Sequence, residues 1–314
     1  MTNRQSRAAR FAGEHKVDSK GATTVRRRHH TVPQMYLRFF ADEAEQVRLV
    51  SRHDPSRSHR SALHNAVTEA GFYRIEVAEL AREEDRATFD PESVEEGLSG
   101  LEGAAKPTLM KLVSSGLTHF EDADWYRLYQ FVALQTVRGN RWRSQLKAAL
   151  TRPIRDHYVA TGLISGAEKF PLVVPPKAML VQESLKMALG TGEDGDMGLL
   201  RFLADKNVRL IRPGDTAVLT SDEPVCWWAP GEEEPGYAHA AVVWLPLTPR
   251  LIVQFRARSF DAAAGGLPTG DDELAAFING RVASQAERWI VHHPADTPLA
   301  GVTLAPSSDT PSAG

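Results

Sequence analysis

The sequence predicts an α+β fold: a helical central region packed with an irregular, mainly antiparallel sheet formed largely by the C-terminal part. Three observations predict it. Between residues 91 and 150, apolar positions recur at helical spacing. From Asn207 onward the chain breaks into short apolar runs separated by Pro, Gly and acidic turns, a strand pattern. The elements run strand, helix, strand, helix in blocks, without the strict alternation of a doubly wound parallel sheet.

Taken in order, residues 1–25 mix Arg, Ser, Ala, Gly and Lys with little apolar content and predict a disordered basic arm. Residues 26–295 read as a single α+β domain, and 296–314, "DTPLAGVTLAPSSDTPSAG", as a disordered tail. Thr31–Asp42 predicts a short helix entered through Pro33, whose missing N–H costs nothing in a first turn. "QVRLVSRH" (46–53) alternates and predicts a strand, "PSRSHRSALHN" a polar connection, and "GFYRIEV" (71–77) a second strand. Residues 91–116 predict a helix with a kink at Pro107. Residues 121–150 predict one long helix opened by acidic residues, which suit the positive end of its dipole. Two shorter helical stretches follow, "PPKAMLVQESLKMALG" and "EDGDMGLLRFLADK". Strand-like runs are "VRLIR", "TAVLTSD", "VCWW", "AAVVWLPLT" and "RLIVQF". A helix is expected at Asp271–Ala286 and a last strand at "RWIVHH".

Composition narrows the function classes. The chain has 314 residues, 42% hydrophobic and 25% charged, enough for a core of ordinary size. A net charge of −3 excludes a global basic field, but its distribution is uneven. Residues 1–60 hold 13 Lys/Arg against 6 Asp/Glu, the remainder 24 against 34, a basic arm beside an acidic body. The single Cys226 excludes an internal disulfide and a cysteine zinc site, and its neighbours Trp227 and Trp228 predict a buried, inert thiol. No apolar run approaches the roughly 18–20 residues of a membrane span, and the first residues lack the apolar core of a secretory signal. A soluble cytoplasmic protein is expected.

Three constellations have chemistry to offer. In "RRRHHTVPQ" (26–34), adjacent His29 and His30 on an extended segment point to opposite faces, one toward the core and one toward a cleft. Histidine supplies a proton shuttle near neutral pH or a metal ligand. On the long helix, Gln135 falls on an otherwise apolar stripe and Arg138 lies beside it, so each predicts a partner such as Glu102 or a bound anion. In "LTSDEPV" (219–225), Ser221 and Asp222 sit at a strand end. There they either fix a turn or face a cleft, where Asp222 would orient a histidine, act as a base or bind a metal. The run "RGNRWR" (138–143) places Arg138, Arg141 and Arg143 with Trp142. That set is suited to gripping phosphate and stacking a base, or to a helix face with one buried Trp. No Walker-type loop, His-Glu-x-x-His or EF-hand pattern is present, so nothing points to a nucleotide cofactor.

Together these residues resemble a bacterial family known as a domain of unknown function, number 4238. Its opening is similar to His29, His30, Val32, Pro33, Gln34, Tyr36, Leu37, Phe39 and Phe40. Later blocks follow in the same order: Asn65, Glu69, Phe72 and Tyr73; Glu95 or Glu96 with Glu102; Gln135-x-x-Arg138; Ser221-Asp222-x-Pro224-Val225; and Asn279 on a late helix. The resemblance spans about Arg28 to His293. The sequence departs from the pattern twice. Gly139-Asn140 stands where a proline is expected soon after the arginine, and Glu223 stands where asparagine is common. The resemblance implies a shared architecture and names no reaction.

Two functional readings and one structural reading follow. The first is a hydrolase, nuclease-like toward phosphodiesters. In it His29, His30, Glu102 and Asp222 do acid–base work, while Gln34, Gln135, Arg138 and Ser221 hold the substrate, with a divalent metal as a candidate cofactor. The second is a non-enzymatic nucleic-acid-binding or regulatory module, carried by the basic arm and "RGNRWR". The third makes the polar blocks a hydrogen-bonded network that specifies packing.

Overall fold

The computed structural model describes residues 28–75, 90, 93–161, 175–191, 196–231, 236–261 and 266–304. The predicted arm at 1–25 and residues 305–314 lie outside the described residues.

Strands β1 (Arg28–His30), β2 (Gln46–Ser51), β3 (Ser58–Ala62) and β4 (Thr68–Ala70) come first, with the short helix α1 (Gln34–Leu37) between β1 and β2. Helices α2 (Ser93–Ser115), α3 (Asp122–Val137), α4 (Asn140–Ala160), α5 (Lys177–Leu189) and α6 (Leu200–Ala204) fill the middle. Strands β5 (Lys206–Ile211), β6 (Thr220–Ser221), β7 (Cys226–Trp228), β8 (Val242–Thr248) and β9 (Leu251–Ala257) follow, then helix α7 (Asp271–Gln285) and strand β10 (Trp289–His292). The chain is α+β, as expected, and every strand pairing is antiparallel.

The sheet β5-β9-β8-β7 is covered on both faces. Side chains alternate along a strand, so Val243, Leu245 and Leu247 of β8 enter one core while Val242 and Trp244 enter another. The first core includes Leu109 and Leu112 of α2 and Leu128, Phe131 and Val132 of α3; the second includes Leu274, Ile278 and Val282 of α7. Burial on both faces explains why "AAVVWLPLT" is apolar throughout rather than alternating. The second sheet, β3-β2-β10-β6, joins the N-terminal hairpin to the C-terminal strand. Tyr36 ties α1 to both sheets: its hydroxyl bonds Thr220 Oγ1 at 2.8 Å and donates to the Pro246 carbonyl.

Four expectations are corrected. "PSRSHRSALHN" is not only a connection, because Ser58–Ala62 pair with β2 as an edge strand. Its polar side chains hid it, although polar residues are what an edge strand carries. Conversely, residues 71–75 of "GFYRIEV" form no strand, and 76–77 lie outside the described residues. Gly71 takes φ +60°, and side chains claim the backbone: Arg143 donates to the Phe72 carbonyl at 2.9 Å and Lys177 to that of Gly71. The long helix 121–150 is two helices, broken at Arg138-Gly139, where Gly139 is extended at ψ 170°. A Cβ on Gly139 would lie 1.9 Å from Glu223 Oε1, so the glycine makes room for that carboxylate. Finally, residues 296–304 are packed rather than free: Leu299, Val302 and Leu304 rest on the second core, and Asn279 Nδ2 donates to the Pro298 carbonyl at 3.3 Å. Three apolar residues within six positions of that segment give it something to bury.

Candidate functional site

Strand β1 sends its two histidines to opposite faces, as alternation requires. His29 is fully buried and accepts the Tyr73 N–H at Nδ1, 2.7 Å away, so its ring proton sits on Nε2. Its ring stacks on Tyr73 with centroids 5.9 Å apart. His30 is half-buried, with Nδ1 3.2 Å from the Ala66 carbonyl. A carbonyl only accepts, so Nδ1 carries the proton and Nε2 accepts from Gln34 Nε2 at 2.7 Å. The two neighbours thus hold opposite tautomers. The segment that supplies the Ala66 carbonyl is strained: Val67, a β-branched residue, takes φ +51°. Its own carbonyl receives the Thr31 N–H and hydroxyl, each at 3.2 Å.

Arg138, at the C-terminus of α3, sits beneath this strand. Nε donates to the Tyr73 hydroxyl at 2.6 Å, one terminal nitrogen to the His30 carbonyl at 3.0 Å, and the other to Glu102 of α2. Burial works against its charge, but the Tyr73 and Glu102 oxygens outweigh that cost and raise its pKa. Glu102 keeps 18% of its side chain exposed, against 4% for Arg138. His30, Gln34, Glu102 and Arg138 line one cleft of about 300 Å³, which Arg38, Lys106 and Glu95 share. It places basic, acidic and imidazole groups around one solvent-reachable volume.

The remaining predicted residues lie elsewhere. Asp222, at the end of β6, is buried against the turn between α7 and β10 and accepts three of its backbone N–H groups: Glu287 at 3.0 Å, Arg288 at 2.7 Å and Trp289 at 2.9 Å. Burial outweighs those donors and raises its pKa to about 6. It lines a separate cavity of about 30 Å³ with Glu223 and Thr31. Ser221 donates to the Glu223 carbonyl at 2.9 Å and accepts the Glu223 N–H at 3.1 Å, so its hydroxyl closes a turn. Gln135 is 1% exposed, lines neither cavity, and its amide makes no hydrogen bond among the described residues. Glu223, not singled out by the sequence, accepts the Arg141 N–H at 2.9 Å at the start of α4. Burial first and the Asp222 charge second raise its pKa well above the usual carboxylate range. Cys226 is buried as expected, its thiol pushed up to about 12.

Sequence reasoning found the His30 cleft but not a larger cavity, of about 940 Å³, between α4, α5, α6, β7 and α7. Only Arg141 and Trp142 of its lining belonged to a run the sequence marked. Its other cations are spread over distant segments, and no local spacing links them. Among the described residues, no group of three or more His, Cys, Asp or Glu is placed to hold a metal ion, and no helix is long and apolar enough to cross a membrane.

Comparison with curated proteins and with solved structures gave no match to either. Residues 28–296 match the model of the family described as protein of unknown function (DUF4238), and the chain belongs to that family.

Proposed function

We propose that the chain is a hydrolase acting on an anionic ester, with phosphodiesters as the first class to test, and that the His30 cleft carries the chemistry. One observation supports this most. His30 is fixed at Nδ1 by the Ala66 carbonyl and presents Nε2 in a cleft shared with Glu102 and Arg138. An imidazole held in one tautomer, its basic nitrogen bonded by the Gln34 amide at the edge of a cleft, is suited to general acid–base work once water takes the place of that amide. In this reading the Gln34 amide gives way to water at Nε2, which takes a proton from it; the resulting hydroxide attacks the ester, and the same proton returns to the leaving oxygen. Arg38 and Lys106 supply positive charge for the anion, Gln34 positions the imidazole, and Glu102 holds Arg138. Strain at Val67, beside the His30 support, fits a constrained site. Asp222, Ser221 and Gln135 have no part in the step, and His29 acts only by holding Tyr73.

The test is hydrolysis of bis(4-nitrophenyl) phosphate and short oligonucleotides by the full chain, with and without magnesium or manganese. His30→Gln is expected to lower turnover by about a hundredfold or more while the melting midpoint hardly moves. Absence of turnover by the parent across the panel removes the reading. Steeply salt-dependent oligonucleotide binding without turnover favours the non-enzymatic module instead. Loss of stability alone in His30→Gln favours the structural reading, which the saturated bonding of Arg138 and Asp222 already supports for those two residues.

A further inference from the structure

The 940 Å³ cavity has the size of a small-molecule site and a lining unlike that of the His30 cleft. Among the described residues around it are four cations, each from a different helix: Arg141 of α4, Lys186 of α5, Arg201 of α6 and Arg281 of α7. Only two acids, Glu183 and Asp196, join them there. Glu183 pairs with Lys186 at 3.1 Å, and Asp196 is occupied with the Thr191 and Gly198 N–H groups, each at 3.0 Å. Like charges brought together from four helices repel one another, and an anion between them relieves that repulsion.

The apolar part of the lining is aromatic. Trp142, Phe202, Trp227 and Tyr237 all face the cavity. Trp227 meets Tyr237 edge-on at 5.4 Å, which leaves flat ring surface to stack against. Arg281 donates to the Trp227 carbonyl at 3.1 Å, which fixes this cation against the aromatic wall.

We infer that this cavity binds a nucleoside phosphate, its base stacked among Trp142, Phe202 and Trp227 and its phosphate held by Arg141, Lys186, Arg201 and Arg281. Side chains from separate helices make the recognition, which is why no Gly-rich loop announces it. The site is separate from the His30 cleft: the two share no lining residue, although Arg138 and Arg141 flank the same break between α3 and α4. Binding is therefore measurable without turnover, and failure of the hydrolase reading leaves it untouched.

The experiment is titration of the full chain with AMP, adenosine and inorganic phosphate, followed by calorimetry and tryptophan fluorescence. AMP is expected to bind at least about tenfold more tightly than either fragment, because each supplies only one half of the recognition. The double variant Lys186→Ala/Arg201→Ala removes two cations at the cavity wall and is expected to weaken AMP by about tenfold or more with the melting midpoint retained. Trp142→Ala removes one stacking face and is expected to weaken AMP and adenosine alike. His30→Gln is expected to leave AMP affinity unchanged. The inference is overturned if AMP does not bind at millimolar concentration, if it binds no better than phosphate, or if His30→Gln abolishes binding while the double variant retains it.

Discussion

Arg138 and Asp222 are both buried charges, and each takes part in three hydrogen bonds, but their partners differ in kind. Asp222 is held by three consecutive backbone N–H groups, all belonging to one turn. Arg138 is held by one carbonyl and two side chains, from strand β1, the Tyr73 turn and helix α2. The consequences for charge are opposite. The oxygens around Arg138 favour its charged form, whereas burial around Asp222 disfavours its charged form despite the donors. A charge satisfied by one turn ties a single strand end to that turn. A charge satisfied by three separate elements fixes how those elements meet, and here the meeting place forms the wall of a cleft.

The largest expected effect tests the second half of that contrast. Arg138→Met leaves the Tyr73 hydroxyl, Glu102 and the His30 carbonyl without their donor at once, and is expected to cost about 3–5 kcal/mol in a denaturant melt. Arg138→Lys should recover little, because one ammonium cannot reproduce a three-way fork. A cost under about 1 kcal/mol for the methionine variant makes Arg138 no different from a surface ion and erases the contrast.

Asp222 is tested through pH. Its folded pKa of about 6 lies above the ordinary 3.8, so between those values the folded state keeps a proton that the unfolded state has released. Stability therefore falls as pH rises through that window, by on the order of 3 kcal/mol from this group, and the penalty is constant above it. Glu223 acts in the same direction. Asp222→Asn should flatten the fall, read from denaturant melts at pH 4 and pH 6.5. An unchanged slope means the carboxylate is charged throughout and the turn solvates it better than burial penalises it.

Smaller effects sharpen the boundary between the two. Gly139→Ala pushes a methyl into the Glu223 carboxylate and is expected to cost about 1–3 kcal/mol. Glu223→Ala should relieve most of that cost in the double variant, a coupling that a thermodynamic cycle detects. His30→Gln gives up only half-buried hydrogen bonds and should cost about 1 kcal/mol, measured by the same melts. A larger loss moves His30 into the structural network with Arg138.

The sequence showed much of this where local chemistry is decisive. Alternation alone sent one of His29 and His30 to the core and the other to a cleft, and the cost of burying an unpaired guanidinium called for a partner of Arg138, with Glu102 one of two candidates. Other features depend on neighbours that no local pattern reveals. The break at Gly139 was hidden because the apolar stripe Leu128, Val132, Gln135 continues in register through Trp142 and Leu146, and a lone glycine does not end a helix by itself. The failure of "GFYRIEV" as a strand depends on Arg143 and Lys177, which reach its carbonyls from 71 and 106 residues away in sequence. The sequence favoured a turn for Asp222 and left a cleft open. Only the positions of the Glu287, Arg288 and Trp289 amides decide between them.

The contact between Gly139 and Glu223 also bears on ancestry. Gly139 and Glu223 lie 84 residues apart in sequence yet meet in space. An acid at 223 is tolerated because residue 139 has no side chain, and a side chain at 139 requires something smaller at 223. Within the family the two positions should vary together, so that a relative with a bulkier residue at the first lacks glutamate at the second.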